Sequence, residues 1–335
     1  MTERAAPRRA TRAAAITVGV AALTVGLAGL PGHASSPNPA DTQLDRARTA
    51  ISSYEFRGTI RIWWRQLHGS DSATIPVVAV DGGLKVDDGR LLAEDGRTWM
   101  RAGDGWTTLW SDPHDSRAPS VGRKYTVQRR SGPTIVARPT RLLVVRRHGR
   151  AVERIAFDQA TGLVLSRDRF DSSGAPTMRM QFLTLTDLHR RRGALTPPTV
   201  GVNAPGTRES VPEDTPKSLT GGFVLVDARR GDDHATQLRY SDGVFEASVF
   251  TEDGPVDWDT LPAGGRDTHY GTVRTRQYQT AAGTVVVWEA DGHTFTCVTD
   301  ATTEDQTGIV ESLSRADDSG WTDVVRFVTS PFSWS

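Results

Sequence analysis

Gln237 to Phe250 reads QLRYSDGVFEASVF, and its alternation decides the fold class. A short strand ends at Tyr240, Ser241-Asp242-Gly243 make a turn, and a second strand runs from Val244 to Phe250. Gly243 tolerates the positive φ that such a turn needs. Side chains alternate along a strand, so Phe245, Ala247 and Val249 share one face while Glu246 and Ser248 take the other. The segment predicts a half-buried antiparallel hairpin.

The same signals recur on both sides of it. Strands are predicted at Phe223–Arg229, Thr236–Tyr240, Gly271–Gln279, Thr284–Glu289 and Thr294–Val298, with Asp291-Gly292 as a further hairpin turn. Thr303 as N-cap with Gln306 three residues on predicts a helix to about Leu313, burying Ile309, Val310 and Leu313. Within an amphipathic tail, 316–335, Trp321, Val324, Val325 and Val328 then share one face of a helix that ends before Pro331.

Towards the amino terminus, YEFRGTIRIWWR (Tyr54–Arg65) alternates over its whole length. Phe56, Ile60, Ile62 and Trp64 face one way; Arg57, Thr59, Arg61, Trp63 and Arg65 face the other. Asp-Gly turns then separate short strands at Ile75–Val80, Leu84–Val86, Leu91–Glu94, Thr98–Arg101 and Trp106–Trp110. A polar loop, Ser111–Pro119, precedes a second meander at Leu142–Arg147, Ala151–Asp158, Leu163–Phe170 and Met178–Leu188. One early helix, Leu44–Ser52, goes with them. The class is α+β and mainly antiparallel β: a half-open barrel with a helix over 41–195, then a smaller α+β domain over 219–315. Residues 196–218 hold Pro197, Pro198, Pro205, Pro212 and Pro216 and read as a linker.

Arg4, Arg8, Arg9 and Arg12 precede an apolar run, Ala13–Leu30, and Gly32-His33-Ala34. This is a signal peptide over 1–34, with an uncleaved anchor as the alternative, and it places the chain outside the cytoplasm. There is no N-terminal cysteine to carry a lipid; Cys297 is the single cysteine, so no intrachain disulfide or cysteine metal cluster forms. It reads as a buried small residue.

Formal net charge is zero, yet the sign is divided. Residues 45–195 carry 26 Lys+Arg against 16 Asp+Glu, and residues 196–335 carry 10 against 22. The two halves either attract one another or seek different partners, anionic lipid among them for the basic half.

Catalytic patterns are missing. The sequence holds no HExxH, no GxSxG, no phosphate-cradling loop and no paired-histidine metal spacing. No catalytic residue, cofactor or metal is assigned, and a secreted hydrolase is disfavoured. Arg190-Arg191-Arg192 alone does not argue for nucleic acid in an exported chain.

Several segments stand in a telling order: SYEFRGTI (Ser53–Ile60), the Asp158, Thr161, Gly162, Leu163 turn within Arg147–Asp187, YSDGVFEASVF (Tyr240–Phe250), LPAG (Leu261–Gly264) and VVVWEADGHTFTCVTD (Val285–Asp300). In order and spacing, from about residue 44 to 313, they resemble the MucB/RseB family, extracytoplasmic regulators of an anti-sigma factor. The resemblance implies a LolA-like first domain with an apolar cavity and a second domain that helps hold the outer segment of a membrane anti-sigma factor. It implies shielding of that factor from proteolysis, relieved by an acylated ligand, at the outer face of the cytoplasmic membrane or in the periplasm. The arginine-rich stretch (Arg141, Arg146, Arg147, Arg150, Arg154) and the tail have no counterpart in it.

On that basis the cavity lining is expected from Phe56, Ile60, Ile62, Trp64, Ile155, Phe157, Leu163, Leu165 and Phe182, unless these fill an ordinary core. The partner surface is expected at Tyr240, Asp242, Phe245 and Trp288. The expected partners are the anti-sigma segment and an acylated or anionic lipid, with a homodimer also compatible. The alternative is a lipid or lipoprotein carrier that uses the open barrel alone.

Overall fold

The computed structural model describes residues 50, 53–80, 83–86, 91–94, 97–102, 105–111, 124–191, 215–230, 236–280 and 283–315. The expected signal peptide, the helix at Leu44–Ser52 apart from Ala50, the loop Ser111–Pro119 apart from Ser111, most of the linker and the tail lie outside them. No helix among the described residues is long and apolar enough to cross a membrane.

Eleven strands form the first sheet: β1 (Tyr54–Arg65), β2 (Ser70–Val80), β3 (Gly83–Val86), β4 (Leu91–Glu94), β5 (Arg97–Ala102), β6 (Gly105–Ser111), β7 (Thr126–Ser131), β8 (Thr140–Arg147), β9 (Arg150–Asp158), β10 (Val164–Phe170) and β11 (Pro176–Arg190). Their order is β6-β5-β4-β3-β2-β1-β11-β10-β9-β8-β7, so two sequential meanders meet where β1 pairs with β11. The order is linear with β6 and β7 at the ends, which makes the sheet open.

The alternation of β1 holds: Phe56, Ile60, Ile62 and Trp64 are buried while Arg57 and Arg61 are exposed. Gly58 sits on the inner face of β1, where a Cβ would stand 2.6 Å from the Thr184 carbonyl oxygen and 3.0 Å from Phe182 Cε1. Glycine is what lets β1 and β11 approach, beside a bulge at Thr59/Ile60.

The second sheet contains β12 (Ser218–Leu219), β13 (Phe223–Arg230), β14 (Thr236–Ser241), β15 (Glu246–Asp253), β16 (Arg266–Tyr270), β17 (Val273–Thr280), β18 (Gly283–Ala290) and β19 (His293–Thr299). Their order is β12-β13-β14-β15-β19-β18-β17-β16, all antiparallel. Helix α1 (Thr303–Ser314) follows and buries Ile309, Val310 and Leu313.

Three details differ from the sequence reading. The expected single strand Gly271–Gln279 is the second arm of a hairpin: Gly271, at φ 58°, sits in the turn between β16 and β17. Strand β7 was not anticipated, because in TVQRRS only Val127 is apolar and the alternation signal is weak. The helix cap lies one residue earlier. Thr302 Oγ1 accepts from the Asp305 backbone N–H at 3.3 Å, so Asp305 takes the third helical position. Gln306 instead turns inward, donating to the Ala301 carbonyl at 2.8 Å and accepting from Tyr270 OH at 2.9 Å.

Candidate functional site

Two features of the chain offer chemistry: the inner face of the first sheet and the junction where the two sheets meet. On the inner face, register sets Ile62 beside Met180 and Ile60 beside Phe182. Met180 in turn lies beside Arg167, and Arg167 beside Ile155. Phe56 and Phe182 pack edge to face with centroids 5.8 Å apart. All nine residues expected to line a cavity, Phe56, Ile60, Ile62, Trp64, Ile155, Phe157, Leu163, Leu165 and Phe182, are buried in one apolar cluster. The Trp64 indole N–H on this face has no hydrogen-bond acceptor among the described residues.

The inner face is not wholly apolar. Arg167 and Arg169 on β10 and Glu153 on β9 are buried there. Arg167 Nε donates to Glu153 Oε1, and Arg169 Nε reaches the same oxygen at 3.4 Å. Arg169 also pairs with Asp300, just after β19 in the second half. The other Asp300 oxygen accepts from the Glu246 backbone N–H at 2.9 Å. Burial pulls Arg169 below its ordinary value, with Arg167 adding to the effect. Burial likewise raises the Asp300 carboxyl. Burial also disfavours the charged form of Arg167, but Glu153 outweighs it and the guanidinium is held above its usual range.

The rest of the junction is built from Lys124, Tyr125 and Arg147. Asp242 Oδ1 closes its own turn by accepting from the backbone N–H groups of Val244 at 3.0 Å and Phe245 at 2.8 Å. Asp242 Oδ2 accepts from Lys124 Nζ and from Tyr125 OH. Lys124 Nζ reaches Asp305 Oδ1 as well, at 3.2 Å. Arg147 grips Asp305 through both carboxylate oxygens, at 2.8 and 2.7 Å, and approaches Glu304 at 3.7 Å. Tyr125 packs edge to face on Phe245, centroids 6.1 Å apart, which carries the apolar cluster across the junction. Burial, then the Asp242 charge, push the Tyr125 hydroxyl far above its ordinary range, so it acts as a neutral donor. Burial works against the charge on Arg147, yet Asp305 holds its pKa above the usual value.

The four residues expected to face a partner lie inside. Tyr240 and Trp288 are 0 % exposed, Asp242 2 % and Phe245 1 %. Trp288 stacks on Phe295 at 5.1 Å, and the Tyr240 hydroxyl donates to the Pro216 carbonyl at 3.0 Å. Asp242 and Phe245 form the junction itself. The arginine-rich stretch is not one surface either: Arg141, Arg150 and Arg154 are exposed, whereas Arg147 turns into the junction.

Lys124, Tyr125, Arg167, Arg169, Asp300 and Asp305 were not singled out from sequence, and Arg147 was read only as part of the arginine-rich stretch. The signal that pointed towards them was the opposite net charge of the halves. Across the junction the cations come from the basic half and the carboxylates from the acidic one.

The remaining polar residues read as structural. In the Asp158 turn, Oδ2 accepts from the Thr161 backbone N–H at 2.9 Å, from Thr161 Oγ1 at 2.5 Å and from Arg138 at 2.9 Å. Burial alone would raise this carboxyl, but these donors outweigh it and lower the pKa. Cys297 is buried in β19 and its thiol is pushed up to about 12 by burial. No group of three or more His, Cys, Asp or Glu among the described residues is placed to hold a metal ion.

No family model matches the chain, and no curated protein matches it. Solved structures do. The chain is similar to MucB. A crystal structure of MucB is 21% identical, over 83% of this chain and 98% of that one, with a TM-score of 0.48. MucB in the Pseudomonas aeruginosa MucA/MucB complex is 20% identical, over 82% of this chain and 96% of that one, with a TM-score of 0.46. A conserved protein from Thermus thermophilus is 14% identical over 49% of this chain and 98% of that one, with a TM-score of 0.31.

Proposed function

We propose that this chain is an extracytoplasmic regulator that binds the outer segment of a membrane anti-sigma factor and senses a lipidic ligand. In this reading 41–195 and 219–315 are its two domains, joined by 196–218. The observation that carries it is the ordered set of family-like segments from Ser53 to Asp300. Two of those segments form turns that fix hairpins, Asp158-Thr161 between β9 and β10 and Asp242-Gly243 between β14 and β15. They mark a shared framework, and the chemistry lies in the faces that this framework positions.

The nine inner-face residues are the proposed lining for the apolar part of the ligand. Burying acyl carbons there contributes about 0.8 kcal/mol per methylene. The unpaired Trp64 N–H offers a polar contact to a ligand oxygen. Asp242 and Phe245 reach a partner only if the junction opens; Tyr240 and Trp288 support the same hairpin from within.

The test is binding of residues 35–335 to the outer segment of a membrane anti-sigma factor from the same organism, with and without anionic lipid vesicles. Saturable binding that lipid weakens is the expected result. Lipid retained through purification with no binding to that segment refutes the regulator reading. That outcome favours a lipid or lipoprotein carrier, the second reading, which rests on the inner face alone.

A further inference from the structure

Lys124, Tyr125 and Arg147 stand together at one end of the first sheet, and all three donate to carboxylates of the second half. Two of the three, Lys124 and Arg147, converge on a single carboxylate, Asp305. Tyr125 and Lys124 share another, Asp242. A neutral phenol directed at one carboxylate, a forked guanidinium at the other and a lysine that bridges the two make a carboxylate-binding cradle on the first half, filled from within the chain.

The cradle is open to exchange. Lys124 and Arg147 side chains keep 18% and 13% of their exposure, while the carboxylates they hold keep 0% and 1%. The cations therefore sit at the solvent edge and the anions behind them. Pairs buried to this degree are screened by bulk salt much less than surface pairs, and the cost of desolvating their charges offsets much of their attraction. A contact between halves of one chain resembles a transient interface unless it is large and apolar. Here its apolar bridge is Tyr125 on Phe245.

Separating the halves strips Lys124 and Arg147 of their carboxylates and leaves Arg169 with Glu153 alone. The first half then carries Lys124, Arg147 and Arg169 without Asp242, Asp305 and Asp300, and an external anion meets the same donors. We infer that the Lys124, Tyr125 and Arg147 cradle is an anion site occupied in the closed chain by Asp242 and Asp305, so that closure of the two halves and binding of an external carboxylate or phosphate at the cradle exclude each other. This inference uses no partner protein and stands or falls apart from the regulator reading.

The experiment takes the chain from residue 35 to 335 and follows its radius of gyration by small-angle scattering. Amide exchange in 124–131 and 240–246 is followed in parallel. Sodium chloride and sodium tripolyphosphate are compared at matched ionic strength. Tripolyphosphate is expected to enlarge the radius and to speed exchange in both segments by about tenfold, the equivalent of one weakened ion-pair cluster, where chloride leaves them closed. The double variant Lys124→Gln with Arg147→Gln is expected to be open without tripolyphosphate and insensitive to it. A double variant that stays closed, or tripolyphosphate no more effective than chloride at equal ionic strength, overturns the inference. If far-UV circular dichroism shows that the variant does not fold, the comparison of the two salts on the natural chain decides alone.

Discussion

Replacing Gly58 by alanine tests the packing of the inner face at its tightest point. The new Cβ stands 2.6 Å from the Thr184 carbonyl oxygen and 3.0 Å from Phe182 Cε1. Phe182 can turn aside, but the carbonyl is backbone of β11 and moves only if the β1–β11 ladder opens. Overpacking of this kind costs about 1–3 kcal/mol. Weakening one ladder hydrogen bond adds about 1 kcal/mol. Restricting the unfolded chain offsets about 0.4–1 kcal/mol of that. The net loss is about 1–3.5 kcal/mol, or a fall in melting temperature of roughly 2–14 °C for a unit of this size. Urea denaturation followed by far-UV circular dichroism measures it. A loss below about 0.5 kcal/mol refutes the close approach of β1 and β11, and with it the placement of Phe182 over Gly58. The same variant should retain less lipid than the natural chain, because Phe56 and Phe182 share that face.

Other substitutions probe the turns and the buried charges. Asp158→Asn removes the charge that Thr161 and Arg138 hold, and should cost about 2–3 kcal/mol at neutral pH by denaturant titration. Because the Asp158 pKa lies below 3.8 in the folded chain, that stabilisation is complete above pH 3.8 and is lost as pH falls through the lowered value. The gap between variant and natural chain should therefore close in acid; a gap independent of pH would count against the ionised carboxylate. Asp300→Ala leaves Arg169 buried beside Arg167 and should destabilise by about 3–5 kcal/mol. Adding Arg169→Met to it should recover most of that loss in the same assay, and no recovery would show that the two charges do not depend on each other. Gly243→Ala places a Cβ at φ 95° and should lower stability by about 1–2 kcal/mol, with the exchange of the Asp242–Phe245 amides as the local readout.

Strands β1, β15 and β19 were legible because a period of two survives in a strand with one buried face. Asp-Gly and Gly-Gly turns were legible because few residues accept their dihedrals. Strand β10 shows where that reasoning stops. Its VLSRDRF places Arg167 and Arg169 on the buried face and leaves Asp168 half-buried on the other face, beside Arg154 and Arg179. Charged residues in a strand ordinarily mean solvent, and nothing local in the segment says otherwise. The burial of Asp242 escaped the sequence reading for a related reason. A turn aspartate beside glycine reads as exposed until a lysine and a tyrosine 118 and 117 residues away are placed against it.

By itself, then, the sequence determined the class, the hairpins, the burial of the inner face and the opposite charge of the two halves, all of which depend on neighbours in the chain. Only the tertiary structure decided that Lys124, Arg147 and Arg169 pair with Asp242, Asp305 and Asp300. The physical reason is range. Backbone geometry and hydrophobic period act over a few residues and leave a mark in the sequence. A buried charge is tolerated only through a partner brought to it by the fold, over more than a hundred residues of chain.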